Sequence, residues 1–153
     1  PRGSVIEAAI RTRDGSPMKT PSVRKHGFFS GAEIYRDRKY RFTKVPESLE
    51  GGDLVQTFNN DKDGGALSPT YTLEISEPGM LYLLLDSRVF PNDLPWLQSP
   101  DERTPSFRLT KETVQTDADF HFAVYEAEVD PTTYHLGTQS GASFYSLVGV
   151  NRD

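Results

Sequence analysis

Two Asp/Arg pairs are the first residues in this 153-residue sequence whose types and spacing could do chemistry. Asp86 and Arg88 are two residues apart on one side of a predicted strand, whereas Asp37 and Arg38 are adjacent and predicted to point to opposite faces. A guanidinium and a carboxylate together bind sugar hydroxyls well. The alternative is an ion-pair network that fixes strand register, and the sequence favours it because binding sites are few.

Aromatic residues could supply the apolar part of the same kind of site. Trp96 is the single tryptophan and lies between a proline and a leucine in a proline-bounded loop. The C–H face of a pyranose stacks on such a ring at little desolvation cost. Burial of the indole at one end of the fold is the favoured alternative. Tyr125, Tyr134 and Tyr145 could form an aromatic platform on one sheet face, or simply pack as strand tyrosines.

The segment from Asn59 to Gly64 places oxygen side chains at alternate positions before a glycine, which is typical of calcium loops. Position 12 of such a loop is Thr70, so the bidentate carboxylate is missing, and Lys62 adds a positive charge. A polar turn held by Asx hydrogen bonds is favoured over a calcium site. We expect no cofactor and no metal, and Asn60 remains a candidate for hydroxyl recognition.

Catalytic signatures are absent from the sequence. It has no nucleophile elbow, phosphate-binding loop or zinc-protease helix, and the absence of cysteine excludes disulfides and a thiol nucleophile. The three histidines are far apart, and His121 is predicted to point outward between two core phenylalanines. The 22 acidic residues allow too many carboxylate pairs to single out a glycosidase site. We expect a protein that is not an enzyme.

Charge is distributed unevenly along the chain. Residues 1–45 hold 11 basic and 4 acidic residues, and residues 46–153 hold 6 and 18. An acidic body argues against nucleic acid as a partner, because phosphates need a connected basic surface. The longest apolar run, Met80 to Leu85, is six residues, so we expect no membrane partner.

Short apolar or alternating runs separated by turn residues indicate the elements that must position these side chains. Eleven prolines and twelve glycines leave little room for helices. We predict an all-β fold, an antiparallel β-sandwich of jelly-roll type with about eight strands, in which Gly79–Asp86 is central. The candidate strands are 27–30, 32–43, 54–58, 70–74, 79–86, 106–111, 119–128, 132–136 and 143–150.

The first 25 residues do not follow this pattern. Residues 1–4, Pro-Arg-Gly-Ser, are typical of the linker that a vector-encoded protease site leaves, and we expect the natural domain to have been cut from a longer protein. Residues 5–10 could form a short strand or a helical turn, and residues 11–25 have no period. We therefore predict an irregular basic N-terminal arm over 5–25 and a β-sandwich module over 26–153.

Several clusters occur in an order that resembles a known module. They include Tyr35 to Phe42, Asn59 to Lys62, Leu81 to Arg88 and Leu94 to Leu97, in a pattern of the kind DRxY…NxDK…VYxxxDxR…PxWL. Residues 32–150 resemble a β-sandwich accessory module of secreted bacterial multidomain proteins, similar to the carbohydrate-binding modules appended to polysaccharide-degrading enzymes. The resemblance implies an extracellular location, neighbouring domains in a larger chain, and an oligosaccharide or polysaccharide as ligand.

From the resemblance and the residues together we predict a non-catalytic carbohydrate-binding module. The alternative is a protein-interaction or spacer module without a glycan ligand. An exposed aromatic patch favours the first hypothesis, and a buried tryptophan with paired Asp and Arg groups favours the second. The predicted ligand-binding residues are Trp96, Asp86, Arg88, Asp37, Arg38 and Asn60.

Overall fold

Alternating apolar and polar side chains form strands with one face in the core. In Thr70–Ile75 the apolar residues Tyr71, Leu73 and Ile75 are buried, and Glu74 is exposed. The computed structural model describes residues 4–63 and 68–151. Its strands are β1 (Ile6–Arg13), β2 (Ser16–Pro17), β3 (Ser22–Arg24), β4 (Phe42–Lys44), β5 (Asp53–Gln56), β6 (Thr70–Ile75), β7 (Gly79–Asp86), β8 (Arg108–Thr116), β9 (His121–Val129), β10 (Thr133–Leu136) and β11 (Ser146–Asn151).

The strands form two antiparallel sheets, which confirms the predicted all-β sandwich. The smaller sheet has the order β10-β6-β1-β2, and the larger has the order β3-β5-β11-β7-β9-β8-β4. The described chain has eleven strands where about eight were predicted, and three of them are only two or three residues long. Within the described residues, helical structure is limited to 3₁₀ turns at Asn59–Asp63 and Pro91–Asp93 and to one turn of helix, α1 (Pro95–Gln98).

The central position predicted for Gly79–Asp86 is confirmed. Strand β7 pairs with β11 on one side and with β9 on the other. Leu81, Leu83, Leu84 and Leu85 are all buried, so both faces of the strand are covered. A continuous apolar run forms a strand of this kind because neither face reaches water. On β9, His121 is exposed between two buried phenylalanines, as predicted.

The two sheets pack face to face. A Cβ at Gly149 of β11 would lie 2.8 Å from Cγ1 of Ile6 in β1, so the strands approach closely at this glycine. The ring of Tyr71 on β6 lies 5.9 Å from that of Tyr145, just before β11. Burial of these side chains against one another is the main favourable term in folding.

The prediction of an irregular N-terminal arm is wrong for the described residues. β1 lies between β6 and β2 in the smaller sheet, and β3 forms an edge of the larger sheet. Asp14 and Gly15 both have positive φ and form the two-residue turn that joins β1 to β2. The Asp-Gly pair is typical of such a turn, but the segment around it is basic and has no period, which led to the prediction of an arm. Residues 1–3 of the predicted linker lie outside the described residues.

Two other predicted strands are replaced by turns. Residues 27–30 follow His26, which has positive φ, and the backbone N–H of Ala32 donates to the carbonyl of Phe29, as in a turn. Of residues 32–43, only the end belongs to β4. The aromatic residues of this region still reach the core, because Phe28 packs edge to face on Phe42 with ring centroids 4.9 Å apart.

Candidate functional site

Asp86 is the last residue of β7, and both oxygens of its carboxylate accept hydrogen bonds from other groups of the protein. Its Oδ1 accepts from the backbone N–H of Arg88 at 2.9 Å and from Nε of Arg88 at 3.0 Å. Its Oδ2 accepts from Nη2 of Arg88 at 2.7 Å and from the backbone N–H of Ser143 at 2.9 Å. These donors occupy the lone-pair sites of a buried carboxylate. Asp86 and Arg88 therefore form an ion pair of the structural kind that the sequence favoured over a binding pair.

The surroundings of Asp86 keep it ionised. Burial alone raises the pKa of this carboxyl, but the hydrogen bonds from the side chain and backbone of Arg88 and from the backbone of Ser143 outweigh burial and hold the pKa below its ordinary value. Asp86 is therefore a fixed negative charge that joins the end of β7 to the segment before β11.

Asp37 and Arg38 lie in a loop, and the prediction that they point to opposite faces of a strand is wrong. Asp37 accepts through Oδ1 from the backbone N–H of Asn59 at 2.7 Å and through Oδ2 from that of Asn60 at 2.9 Å. Arg38 donates through Nη2 to Oδ1 of Asn60 at 2.7 Å, and its Nη1 lies 3.4 Å from Oδ2 of Asp37. Three of the predicted residues thus meet, and they bind one another.

The sequence left open whether the indole of Trp96 is exposed or buried, and in the structure it is half-buried. Its Nε1 donates to the carbonyl of Thr138 at 2.8 Å, and its ring lies 5.6 Å from the ring of Tyr145 in an edge-on orientation. The indole also covers the backbone of Gly137, where a Cβ would lie 2.1 Å from Cδ1. The indole N–H is already used, so Trp96 holds the loop at 137–138.

The predicted residues are gathered at one end of the sandwich, around residues 143–145. Asp86 binds the backbone of Ser143, and Trp96 contacts Tyr145. Asn59, which Asp37 holds, accepts from the backbone N–H of Phe144 at 2.8 Å. Sequence reasoning therefore found a real cluster, but most of its polar groups bond within the protein.

Tyr35 is a member of this cluster that sequence reasoning missed. Its hydroxyl donates to the carbonyl of Phe144 at 2.6 Å. Burial raises the pKa of this phenol well above its ordinary value, and the negative charges of Asp86 and Asp37 raise it further. Tyr35 is thus a neutral donor that ties the loop at 35 to the same segment.

The tyrosines do not form the platform considered from sequence. Tyr125 lies on β9 of the larger sheet, Tyr134 on β10 of the smaller sheet, and Tyr145 precedes β11. All three are buried. The three tyrosines therefore pack within the protein, which is the alternative that the sequence also allowed.

The Asn59–Asp63 segment forms a 3₁₀ turn whose carboxylate binds an arginine. Asp61 accepts from Nε of Arg11 at 2.9 Å, from Nη2 of Arg11 at 2.5 Å and from the hydroxyl of Tyr71 at 2.6 Å. Burial raises the pKa of Tyr71, so the phenol is a neutral donor. A guanidinium thus occupies the carboxylate that a calcium ion would need. Gly64, the glycine of the segment compared with calcium loops, lies outside the described residues.

An open groove of about 440 Å³ lies beside this cluster, and it is the candidate site. Phe90 is 58 % exposed, which is unusual for a phenylalanine in a folded domain. Arg88 leads into the groove with a side chain that is 52 % exposed although its partner Asp86 is buried. The lining residues are Arg88, Val89, Phe90, Asp93, Leu94 and Ser140 to Ala142. We call this the Phe90 groove.

Arg88 is the member of the predicted set that lines the Phe90 groove. Phe90 and Asp93 were missed. A signal for Phe90 was available, because it is an aromatic residue that precedes a proline in a polar loop and belongs to no strand pattern. Ser140 to Ala142 could not be assigned from sequence, because the fold alone brings their loop opposite residues 88–94.

Within residues 4–63 and 68–151, no group of three or more histidine or acidic side chains is arranged to hold a metal ion. In the same residues no helix is both long and apolar enough to cross a bilayer.

Comparison with known proteins gives a fold relationship. No family model and no curated protein matches the sequence. Among solved structures, the chain is similar to part of a β-glucuronidase from glycoside hydrolase family 2, with a TM-score of 0.72 and 15 % identity over 94 % of this chain. It is also similar to part of a GH138 enzyme described as targeting pectin rhamnogalacturonan II, with a TM-score of 0.62 and 12 % identity over the whole chain.

The chain spans 14 % and 17 % of those two proteins. At this level of identity the likeness shows a shared β-sandwich fold.

Proposed function

We propose that this domain is a non-catalytic carbohydrate-binding module of an extracellular multidomain protein, and that it binds a glycan in the Phe90 groove. The observation that carries the proposal is a half-exposed aromatic ring in an open groove that also contains Arg88 and Asp93. Apolar contact from the ring and polar contacts from a few convergent side chains are what sugar recognition requires.

The Arg88 guanidinium supports this role because its orientation is already fixed. Asp86 holds Nε and Nη2, so Nη1 is the nitrogen with no hydrogen-bond partner in the described chain. A preoriented donor loses little side-chain entropy on binding a hydroxyl. Ligands gain only modest affinity from each such contact, since each replaces a hydrogen bond to water.

Two observations support an accessory role without catalysis. Of the residues that the structure describes, Asp93 is the one carboxylate that lines the Phe90 groove, whereas glycoside hydrolysis ordinarily uses two carboxylates. The chain corresponds to a small part of two glycoside hydrolases, and the sequence pattern resembles modules attached to such enzymes. A secreted parent protein with carbohydrate-active neighbouring domains is part of the proposal.

A glycan-array screen followed by calorimetric titration tests it. The intact domain is screened, and the oligosaccharide with the strongest signal is titrated into the wild-type protein and Phe90→Ala. We expect the variant to bind about tenfold more weakly, because the stacking surface is lost. Binding should also change the fluorescence of Trp96, which holds the carbonyl of Thr138 in the loop that leads to the lining residue Ser140. No new reducing ends should form when the domain is incubated with polysaccharides.

Leu109→Ala is the matched control, since Leu109 is 61 % exposed and lies on β8, outside the Phe90 groove. It should bind as the wild type does. A negative array, or equal affinity of wild type and Phe90→Ala, contradicts the proposed site.

The second candidate function is a spacer or protein-interaction module, and the mutual pairing of Asp86 with Arg88 and of Asp37 with Arg38 favours it. A domain of this kind fixes the geometry of its neighbours and binds no glycan. The array distinguishes the two functions directly.

A further inference from the structure

A second pocket, of about 290 Å³, lies between the β3–β5 edge of the larger sheet and the segment just before β4. It opens where β3 and β5 meet the turns at 27–33. Its lining residues are Arg24, Gly27, Phe29, Gly31, Ala32, Glu33, Arg41, Leu54 and Gln56. Small residues leave room for a ligand, and Phe29 at the wall is 49 % exposed. None of these residues lines the Phe90 groove. We call it the Arg24 pocket.

Hydrogen bonds to uncharged groups orient both arginines of this pocket. Nε of Arg24 donates to Oε1 of Gln56 at 3.0 Å, and Nε2 of Gln56 donates to the carbonyl of Glu33 at 2.9 Å. Gln56 is 8 % exposed, so this relay is rigid. Nη1 of Arg41 donates to the carbonyl of Gly31 at 2.6 Å. Each guanidinium is therefore oriented by one hydrogen bond to a neutral group before any ligand arrives.

Neither of these two arginines forms an ion pair within the described chain. Arg11, Arg38, Arg88 and Arg108 each have a carboxylate oxygen within 4.0 Å. Across residues 4–63 and 68–151, neither guanidinium of the Arg24 pocket has such a partner, although Glu33 lines the same pocket. Most of the lining residues also belong to the basic part of the sequence, residues 1–45. Two guanidiniums without an ion-pair partner at one small pocket are suited to bind an oxyanion.

We propose that the Arg24 pocket binds the carboxylate of an acidic sugar residue, and that the ligand of this module includes uronate units. The carboxylate bridges Arg24 and Arg41, the ring packs on Phe29, and Glu33 accepts from a sugar hydroxyl. The cavity volume is at the small end for ligand pockets and suits a single sugar ring. An acidic peptide fits less well, because its carboxylates carry no sugar ring to pack on Phe29. This site is separate from the Phe90 groove and goes beyond the function proposed there.

The proposal is tested by titrating the protein with tetragalacturonate at pH 7 while nitrogen-15 NMR records the arginine side-chain signals. The fully methyl-esterified tetrasaccharide is the neutral counterpart with the same rings. We expect the acidic form to shift the arginine side-chain signals of Arg24 and Arg41, and the esterified form to leave them unchanged. Arg24→Gln combined with Arg41→Gln should weaken binding at least about tenfold. Arg24→Lys keeps the charge but loses the planar donor pair, so it should weaken binding by a smaller factor.

Arg108→Gln removes an exposed arginine from β8 and should bind as the wild type does. The side-chain signals of Arg24 and Arg41 report on this pocket directly, so failure of the Phe90 groove and failure of the Arg24 pocket are distinguishable. Equal binding of acidic and esterified forms overturns the proposal, as does wild-type affinity in a folded arginine variant. Competition by acetate or sulfate at the same concentration as the tetrasaccharide shows a general anion site and also overturns it.

Discussion

At the scale of single residues, the polar side chains at the end of the sandwich divide into those that bind the protein and those that face solvent. Asp86 has all its partners within the protein, and Arg88 is shared between Asp86 and the Phe90 groove. A buried carboxylate without these donors would be costly, so its hydrogen bonds are a condition of the fold. The exposed ring of Phe90 has no such structural requirement.

The structural role of Asp86 predicts a pH-dependent stability. Asp86→Asn removes the charge and should lower the free energy of unfolding at pH 7 by about 1–3 kcal/mol, because charge-assisted hydrogen bonds to Arg88 are lost. The pKa of Asp86 is lower in the folded protein than in the unfolded chain. The contribution of the ionised group is therefore complete above the unfolded-state pKa of about 3.9 and is lost as the pH falls through the lower folded-state value.

Urea denaturation at pH 7 and in the acid range measures this effect. The difference in unfolding free energy between wild type and Asp86→Asn should shrink below about pH 4. Glu126→Gln is the control, because its pair with Arg108 is on the surface and contributes at most about 1 kcal/mol. A difference between wild type and Asp86→Asn that is constant with pH would refute the ionised role.

At the scale of elements, the loops before and after the strands build the end of the sandwich. The segment from Pro91 through α1 places Trp96 over Gly137. Residue types predicted this loop, since prolines and glycines exclude regular strands. They did not predict that the loop after β10 would lie beneath the indole, because that contact joins residues about forty positions apart.

Gly137→Ala should disturb this contact. A Cβ at residue 137 would lie 2.1 Å from the indole, so the ring must move and the hydrogen bond from Nε1 to Thr138 is strained or lost. We expect a loss of about 1–3 kcal/mol in stability and a red shift of tryptophan emission. Ser140→Ala, at an exposed position of the same loop, should change neither value. Unchanged emission in a folded Gly137→Ala protein would contradict the packing described for Trp96.

At the scale of the whole molecule, the N-terminal strand joins the two sheets. Val5 and Ile6 are buried, and Oδ2 of Asp53, on β5 of the larger sheet, accepts their backbone N–H groups at 2.7 and 3.1 Å. Arg11 of β1 also binds the buried Asp61. β1 is thus a central strand of the smaller sheet and an anchor of the larger one.

Removal of residues 1–13 should therefore abolish cooperative unfolding. The smaller sheet would lose β1, which pairs with β6 on one side and β2 on the other, and Asp61 would keep a buried charge without its arginine. Circular dichroism during heating measures the transition. Removal of residues 1–3 alone is the control and should leave it unchanged. A cooperative transition in the protein lacking residues 1–13 would restore the view of this segment as a dispensable arm.

The sequence by itself determined the fold class and the central strand. The alternation of apolar residues and the apolar run at 80–85 show which faces of each strand are buried, and this can be read from the residues of that strand alone. The sequence also singled out residues that the fold gathers at one end of the sandwich, namely Asp37, Arg38, Asn60, Asp86, Arg88 and Trp96. Only the tertiary structure decided which of these side chains are free. Asp37 and Asp86 are satisfied by backbone donors from residues 59–60 and 143, and such long-range hydrogen bonds leave no local pattern. The Phe90 groove and the Arg24 pocket arise in the same way, where separate loops converge.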